Sequence, residues 1–394
     1  MNIQLPLFFI SLSLCSCLSD TSSYYFSNVE TGLNKSGLPT YFMYEMEETI
    51  LTVNSLANEG CLVLNILSDN HLGATEESEM TNEETIQNLR YFNQHVNCDG
   101  VVHLGDIIDP NLQKRDGLSD DSLYSIIGNY ADRINSLNSR VFFVNGNHDG
   151  EKAVYFNREN WRNIIAPLNE SYVYRDDVFI FFYYDYTLQH VRLVFLSLPE
   201  GSNIKEGFSI NQLTWLNNTA FRVEDGINII LFAHIPENHA NYMSEGRMPN
   251  ISSFEGLCNA FNAHSNYSDN IITADFSNLK ESKILAYIAG HAHCDLIQEP
   301  GWVYSGQRII TDHMQEEFTY VNNLPFPIII IGANRYTKKE TYRAINGGMV
   351  FNRRLKTSSQ DLWDTMIYDP RKRCLHFIRF GAGEDRHISL SNLN

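Results

Sequence analysis

The chain has 394 residues, of which 43% are hydrophobic and 12% aromatic. It is therefore long enough to bury a substantial core and is not typical of a disordered protein. The formal net charge of −18 excludes a nucleic-acid binder that relies on a broad basic surface. A phosphate-bearing substrate is still compatible with this charge, because bound metal ions can supply local positive charge.

The N-terminus predicts a secretory leader. Residues 5–18 (LPLFFISLSLCSCL) are apolar apart from Ser and Cys, and the first charge is Asp20. This length fits the core of a signal peptide and is short for a membrane span, although a basic n-region is missing. We expect a signal peptide at residues 1–19 and a secreted, lumenal or extracellular mature chain. A buried N-terminal strand is the alternative, and lipid attachment at Cys17 is a minor variant.

The mature chain is not expected to cross a bilayer, because no later segment approaches about 20 uninterrupted apolar residues. Asn-x-Ser/Thr triplets together with a leader suggest a glycoprotein. The acceptor asparagines are Asn34, Asn169, Asn217, Asn250 and Asn266. Five cysteines remain after the leader, and no CxxC pair indicates a zinc–thiolate site. They are Cys61, Cys98, Cys258, Cys294 and Cys374. Since their number is odd, at least one is expected to be free or to pair with another chain.

Helices and strands alternate along the chain. Residues 81–96 and 121–138 carry apolar residues at helical spacing, which predicts two amphipathic helices. Two capping boxes are expected to begin helices. They are Thr81 with Glu84 and Ser209 with Gln212. Nine apolar runs predict strands at 62–67, 100–104, 141–145, 179–184, 191–198, 228–233, 284–289, 327–332 and 375–380. This alternation favours an α/β fold.

We expect residues 25–394 to form one domain, because no clean linker is visible in the sequence. Residues 236–282 are polar and irregular, which predicts an excursion over the surface.

Polar residues follow five of the predicted strands where each strand ends. They are Asp69 and His71, Asp106 and Asp109, Asn147 with His148 and Asp149, the lone His234, and His291 with His293. Ligands in open α/β sheets bind at this edge. Each fragment alone is ordinary turn chemistry or a satisfied core histidine. Five of them, each after a hydrophobic strand, are hard to attribute to chance and predict one site.

The residue types in this site indicate metal chemistry. Oxygen and nitrogen ligands suit Zn, Mn or Fe rather than an ion that prefers thiolates. Seven such residues could hold two ions about 3.5–4 Å apart if one carboxylate bridges them. A pair of ions binds a phosphate and lowers the pKa of a bridging water molecule. A nearby imidazolium could then protonate the leaving oxygen.

In this order, the motifs DNH, GDIID, GNHD, a lone His and GHAH resemble the calcineurin-like metallophosphoesterases over residues 62–295. Two later segments, ADFSNLKESKILAYIAGHAHCD and SSQDLWDTMIYDPRKRCLHFIRFGAGEDR, are similar to a branch of this family in bacterial and phage proteins. The resemblance thus reaches nearly the whole mature chain.

The resemblance implies a four-layer αββα sandwich, in which helices flank two mixed β-sheets and the metals lie at one edge. By motif, the first metal would be held by Asp69, His71 and His293, and the second by Asn147, His234 and His291. Asp106 would bridge the two ions. His148 would donate the leaving-group proton or orient the phosphate, and Asp149 would orient His148. Asp109 stands where purple acid phosphatases place a tyrosine ligand, so a turn or a supporting role is expected there.

The expected function is a secreted dinuclear phosphoesterase that hydrolyses a small phosphomono- or phosphodiester with metal-activated water. One alternative is a phosphodiesterase of the acid-sphingomyelinase type, although the disulfide-rich segments of that branch are absent. The other is a non-catalytic binding protein on the same scaffold, which would be expected to lack a ligand. Glu384, Asp385 and Arg386 follow a Gly-Ala-Gly turn and could form a structural ion pair or approach the substrate. Protein partners are not indicated by the sequence.

Overall fold

The computed structural model describes most of the chain after residue 36. The described ranges are 37–109, 117–137, 139–149, 173–175, 180–197, 207–237, 249–311, 314–337, 348–391 and 393. All of them belong to one compact unit, Gly32–Asn394. The predicted signal peptide, Asn34 and Asn169 lie outside the described residues. Within those ranges, no helix combines the length and apolarity that crossing a membrane requires.

Seventeen strands are found in the described ranges. They are β1 (Leu62–Leu67), β2 (Gly100–His103), β3 (Arg140–Phe143), β4 (Val173–Arg175), β5 (Ile180–Tyr186), β6 (Val191–Phe195), β7 (Asn228–Phe232), β8 (Asn266–Ser268), β9 (Thr273–Asp275), β10 (Ile284–Ala289), β11 (Leu296–Gln298), β12 (Val303–Thr311), β13 (Met314–Val321), β14 (Ile328–Ile330), β15 (Leu362–Asp369), β16 (Cys374–Gly381) and β17 (Arg386–Ser389). All nine predicted strands are present, within two or three residues of the expected ends.

Two large mixed sheets contain most of these strands. The first has the order β17-β16-β15-β1-β2-β3, and the second has the order β11-β14-β10-β7-β6-β5-β4. In the first sheet, β1, β2 and β3 run parallel. In the second, β6, β7, β10 and β14 run parallel. The carboxyl ends of each parallel set therefore meet at one edge of their sheet.

Helices cover the outer faces of the paired sheets. The described helices are α1 (Met43–Leu56), α2 (Glu76–Asn93), α3 (Asp120–Asn135), α4 (Ile210–Trp215) and α5 (Ile251–Ala263). Between the sheets, the ring of Phe142 in β3 stacks on Phe195 in β6, with 4.9 Å between ring centroids. On the outside of the first sheet, Phe92 of α2 packs against Trp363 of β15. This is the four-layer αββα sandwich, and the predicted fold class is confirmed.

Helix α2 begins earlier than the sequence suggested. Its N-cap is Thr75, which forms a capping box with Ser78, so the predicted box of Thr81 with Glu84 is wrong. The Thr81 hydroxyl instead donates to the Ser78 carbonyl inside the helix. Thr75 is the N-cap because its backbone is extended and its side chain accepts the Ser78 amide. The first turn after it contains three glutamates, and the helix dipole favours negative charge there.

The second predicted capping box is half right. Ser209 is the N-cap of α4, and its side chain accepts a hydrogen bond from the Gln212 amide. The Gln212 side chain, however, bonds the backbone N–H and carbonyl of Ser197. It therefore fastens α4 to the end of β6 instead of completing the box.

The predicted surface excursion at 236–282 is wrong for its central part. Helix α5 occupies residues 251–263, and Phe254, Leu257 and Phe261 are buried. The ring of Phe254 lies edge-on to Tyr287 of β10. These apolar residues recur at spacings of three and four, so they form a helix face that packs on the second sheet. Residues 238–248 lie outside the described ranges.

The C-terminal motif forms a buried ion cluster that connects the two sheets. Arg379 contacts Asp295 at 2.6 Å and Asp364 at 2.9 Å, and Arg386 contacts Asp295 at 3.1 Å. Arg386 also pairs with Asp364. Asp385 accepts a hydrogen bond from the Arg379 amide, while Glu384 is exposed. For Asp385 and Arg386, these contacts favour the structural interpretation over an approach to the substrate.

The five cysteines after the leader are all described, and none of them forms a disulfide. The odd count predicts at least one cysteine that is free or pairs with another chain, and the five free thiols agree with the first of these alternatives.

Candidate metal centre

Backbone strain is concentrated in the loops that carry the predicted ligands. Five of the seven have positive φ angles. They are Asp69 (55°), His71 (45°), Asp106 (54°), His291 (66°) and His293 (53°). Such conformations cost about 1–3 kcal/mol each for residues other than glycine, and they persist where the surrounding structure enforces them. This concentration of strain marks the loops as a functional site.

Backbone hydrogen bonds place the first two loops side by side. After β1 and β2 end, the Asp69 amide donates to Gly105 O and the His71 amide donates to Asp106 O, both at 3.0 Å. The Asp69 and Asp106 carboxylates are thereby brought to the same edge. Gly146 is needed next to them, because a Cβ there would collide with the Asp106 carboxylate.

Asp69, His71 and His293 form the first ligand cluster. His293 Nε2 lies 3.1 Å from Asp69 Oδ1 and 3.1 Å from His71 Nε2. Asp69 and His71 are buried, so these atoms are largely withdrawn from water. The other Asp69 oxygen, Oδ2, accepts the His291 amide at 2.9 Å, which joins the loops of the two sheets.

Asp106, His234 and His291 form the second cluster, with Asn147 beside it. His234 Nε2 lies 3.2 Å from Asp106 Oδ2, 3.1 Å from His291 Nδ1 and 2.9 Å from Asn147 Oδ1. The other ring nitrogen, His234 Nδ1, donates to the Leu104 carbonyl at 2.8 Å. This hydrogen bond leaves the Nε2 lone pair available for a ligand.

Asp106 connects the two clusters. Its Oδ2 faces His234 and also lies 3.8 Å from His71 Nε2. Its Oδ1 accepts the His148 amide at 2.9 Å, and the His148 ring brings Nε2 to 3.7 Å from Oδ2. About a quarter of the His148 side chain is exposed, so a ligand in solution can reach it.

The electrostatics of the clusters favour the ligating forms of His71 and Asp106. Burial lowers the pKa of His71 to about 3, so its imidazole is neutral at physiological pH. Burial raises the pKa of Asp106, but the His234 charge outweighs this effect and the pKa falls to about 2. Neutral imidazoles and ionised carboxylates are the forms that bind metal ions. Burial lowers the pKa of His234, but the Asp106 carboxylate outweighs this effect and raises the pKa to about 9, so a metal ion would displace a proton from this ring.

The residues fit a pair of metal ions. In each cluster two imidazole nitrogens stand 3.1 Å apart, one on a buried histidine and the other on a partly exposed one, and Asp69 Oδ1 is buried without a hydrogen-bond donor among the described residues. Buried polar atoms normally find partners, so nitrogens and a carboxylate oxygen that converge in this way are explained by a cation between them.

The sequence of the chain matches the model of a known protein family. The model of the calcineurin-like phosphoesterase family matches residues 63–295. The chain belongs to the calcineurin-like phosphoesterase family. It is therefore a hydrolase of phosphoester bonds. The family membership predicted from the five sequence motifs is confirmed. The family depends on two metal ions, which agrees with the two ligand clusters.

A solved structure shows the same fold. A dimetal phosphatase from Danio rerio superposes with a TM-score of 0.50 at 14% sequence identity, over 84% of this chain and 99% of that one. The protein TT1561 of Thermus thermophilus covers the same shares at 7% identity, but its TM-score of 0.36 is too low to support an argument. No curated protein matches the chain.

A buried amide network behind the metal centre was missed by the sequence reasoning. Asn70, between the two ligands of the DNH motif, donates to Asn334 at 2.8 Å and also bonds Asn82. Its Oδ1 lies 2.7 Å from Nε2 of His103, for which no pattern had suggested a role. His103 Nδ1 in turn accepts the Gly105 amide at 3.1 Å. The network therefore supports the phosphoesterase loops from behind.

Asp149 and Asp109 support the same loops. The Asp149 carboxylate accepts the amides of Gly146 and Ile107, at 2.9 Å and 2.8 Å. It thus fastens the GNHD loop to the GDIID loop, while its predicted action on the His148 ring stays a prediction. Asp109 Oδ2 lies 4.0 Å from His71 Nδ1 and 3.6 Å from Arg335. This position agrees with the expected supporting role.

Proposed function

We propose that the chain is a secreted dinuclear metallophosphoesterase acting on a small phosphomono- or phosphodiester. The observation that carries the catalytic part is the position of Asp106, whose Oδ2 faces ligands of both clusters. Asp69, His71 and His293 would hold one ion, and Asn147, His234 and His291 would hold the other. Zn, Mn and Fe all suit these ligands. When bound, the ions polarise phosphoryl oxygens and lower the pKa of water.

The side chains of the metal centre have different roles in this proposal. The two ligand clusters would hold the ions at the edge of the sheets, and fixing the phosphoryl group there would lower the entropic part of the barrier. His148 is the partly exposed imidazole next to the bridging carboxylate. It would hold a proton on Nε2 and deliver it to the leaving oxygen. Asp149 holds the loop of His148 in position, because its carboxylate accepts hydrogen bonds from the backbone amides of Ile107 and Gly146.

Replacing His148 with glutamine is expected to lower kcat by about 10²–10⁴-fold, because the proton donor is lost while the ligand clusters are kept. The loss should be larger for phenyl phosphate than for p-nitrophenyl phosphate, since nitrophenolate leaves without much need of a proton. Both rates are measured on protein whose metal content has been determined by elemental analysis.

The matched control is His95→Gln, because His95 is an exposed histidine at the end of α2. It should leave both rates unchanged. An equal loss on the two substrates would reject proton donation by His148 and favour its role in orienting the phosphate. Absence of turnover and of bound metal in the unaltered chain, even after addition of Mn, Zn or Fe, would favour the non-catalytic binding scaffold.

The same assay distinguishes the ester classes. Hydrolysis of p-nitrophenyl phosphate but not of bis-p-nitrophenyl phosphate would identify a monoesterase. The reverse preference would favour the phosphodiesterase alternative of the acid-sphingomyelinase type.

Secretion is the second part of the proposal and is supported by the apolar leader at residues 1–19. Among the described acceptor asparagines, Asn266 is exposed at the start of β8 and is the best candidate for a glycan. Asn217 is buried and its amide donates to the Thr273 carbonyl, which argues against a glycan there. The Asn250 amide likewise donates to Phe208 O.

Expression of the full chain in a eukaryotic secretory host is expected to release protein whose N-terminus lies near residue 20. Treatment with an N-glycosidase should increase its electrophoretic mobility, and Asn266→Gln should reduce that shift. N-terminal sequencing and gel mobility are the measurements. Retention of Met1 on cell-associated protein would reject the leader, and lipid on an N-terminal cysteine would support the anchored variant.

A further inference from the structure

A cavity of about 530 Å³ opens at the sheet edge opposite the metal centre. It is lined by Asn228, the first residue of β7, and by Lys283, which directly precedes β10. The metal-ligand candidates His234 and His291 follow the other ends of these two strands. At about 3.3 Å per residue, the five residues of β7 separate the two places by roughly 16 Å. The cavity is therefore distinct from the metal centre.

Three cations line this cavity in a chain whose net charge is −18. They are Lys280, Lys283 and Arg373. Among the described residues, none of the three forms an ion pair with a carboxylate within 4.0 Å. Partial burial and the Arg373 charge lower the pKa of Lys283, whose ammonium also donates to the Asn262 carbonyl. Glu281 also lines the cavity and is exposed, as are Lys280 and Arg373, so the lining carries three positive charges and one negative charge.

The wall of the cavity also offers a buried hydroxyl. The Tyr368 side chain is buried, and its oxygen accepts a hydrogen bond from Asn228 Nδ2 at 3.1 Å. The hydroxyl proton has no acceptor among the described residues. Burial raises the pKa of Tyr368, so the proton stays on the oxygen and can be donated. An anion in the cavity could accept it.

Three leucines add apolar surface to the wall. Leu285, Leu390 and Leu393 line the cavity, and all three are buried. Leu393 also holds Arg373 in place, because its carbonyl accepts from an Arg373 Nη atom at 3.3 Å. The lining of the cavity thus combines cations and a hydroxyl donor with leucine side chains.

We propose that this cavity is a binding site for a small amphipathic anion. Lys283, Arg373 and the Tyr368 hydroxyl hold its phosphate or carboxylate head, and the leucines contact its apolar part. Charged donors bind oxyanions more strongly than neutral donors do, and an arginine can engage two oxygens at once. The site is separate from the metal centre, so this proposal does not depend on the proposed catalytic function.

Isothermal titration of the metal-loaded chain with octanoate and with octylphosphonate tests this site. At least one probe is expected to bind with a Kd below about 1 mM, and uncharged octanamide should bind at least tenfold more weakly. Arg373→Met and Tyr368→Phe should each weaken binding, the first by about tenfold or more. The matched control is Arg371→Met, an exposed arginine of the same turn that does not line the cavity, and it should bind as the unaltered chain does.

Two results would overturn the proposal. One is the absence of binding by either probe at millimolar concentration. The other is equal affinity in Arg373→Met, Tyr368→Phe and the control, which would place the probes at the metals. Activity on p-nitrophenyl phosphate, measured in the same samples, reports on the metal centre and separates its failure from that of the cavity.

Discussion

Asp106→Asn is expected to lower kcat/KM for phosphoester hydrolysis by about 10³-fold or more and to reduce the metal content below two ions per chain. The asparagine keeps the size of the side chain and can still accept the His148 amide through its oxygen. It removes the negative charge that faces His71 and His234. Loss of several kcal/mol of charge stabilisation corresponds to this rate, since each 1.36 kcal/mol is a factor of ten.

Elemental analysis and steady-state kinetics on the same preparation check this result. Asp132→Asn is the control, because Asp132 is an exposed carboxylate on α3 and should change neither quantity. Two ions per chain together with activity within tenfold of the unaltered enzyme would show that Asp106 does not bridge the clusters. Retained metal with lost activity would instead place the effect of Asp106 on the substrate.

The parallel strands and the residues at their ends could be predicted from the sequence for a physical reason. Buried parallel strands appear as short apolar runs, and the polar residue that follows a run marks where the strand leaves the core. β1 and β10 therefore matched their predicted bounds, and the side chains after them met at one edge.

The support behind the ligands was not predictable, because it depends on contacts between distant residues. His103 meets Asn70 only when β1 and β2 have paired, and Asn70 meets Asn334 only when the two sheets lie together. A buried asparagine cannot be distinguished from a turn asparagine by local pattern. The error at α5 has a related cause: its apolar stripe is interrupted by Ser, Glu and Asn, and only packing on β10 shows which face is buried.

Arg379→Met is expected to lower the free energy of unfolding by about 3–5 kcal/mol, the cost of removing one partner from a buried ion cluster. Asp295 and Asp364 would be left with Arg386 as their remaining charged partner in this cluster. Burial raises the pKa of Asp364, but Arg379 and Arg386 outweigh this effect and hold the pKa below its usual range. Urea unfolding gives the free energy, and the exposed Arg371→Met should change it by no more than about 0.5 kcal/mol.

The double variant Arg379→Met with Asp364→Leu decides whether the cost is electrostatic or due to packing. It removes one charge of each sign and leaves Asp295 paired with Arg386 at 3.1 Å. If uncompensated charge is the cause, the double variant is more stable than Arg379→Met alone, because buried pairs replaced by apolar side chains are often neutral in stability. If the double variant is less stable than the single one, uncompensated charge is not the cause and lost packing accounts for the destabilisation. Asp295 is two residues from His293, so metal content measured on both variants also shows whether the cluster holds that ligand in place.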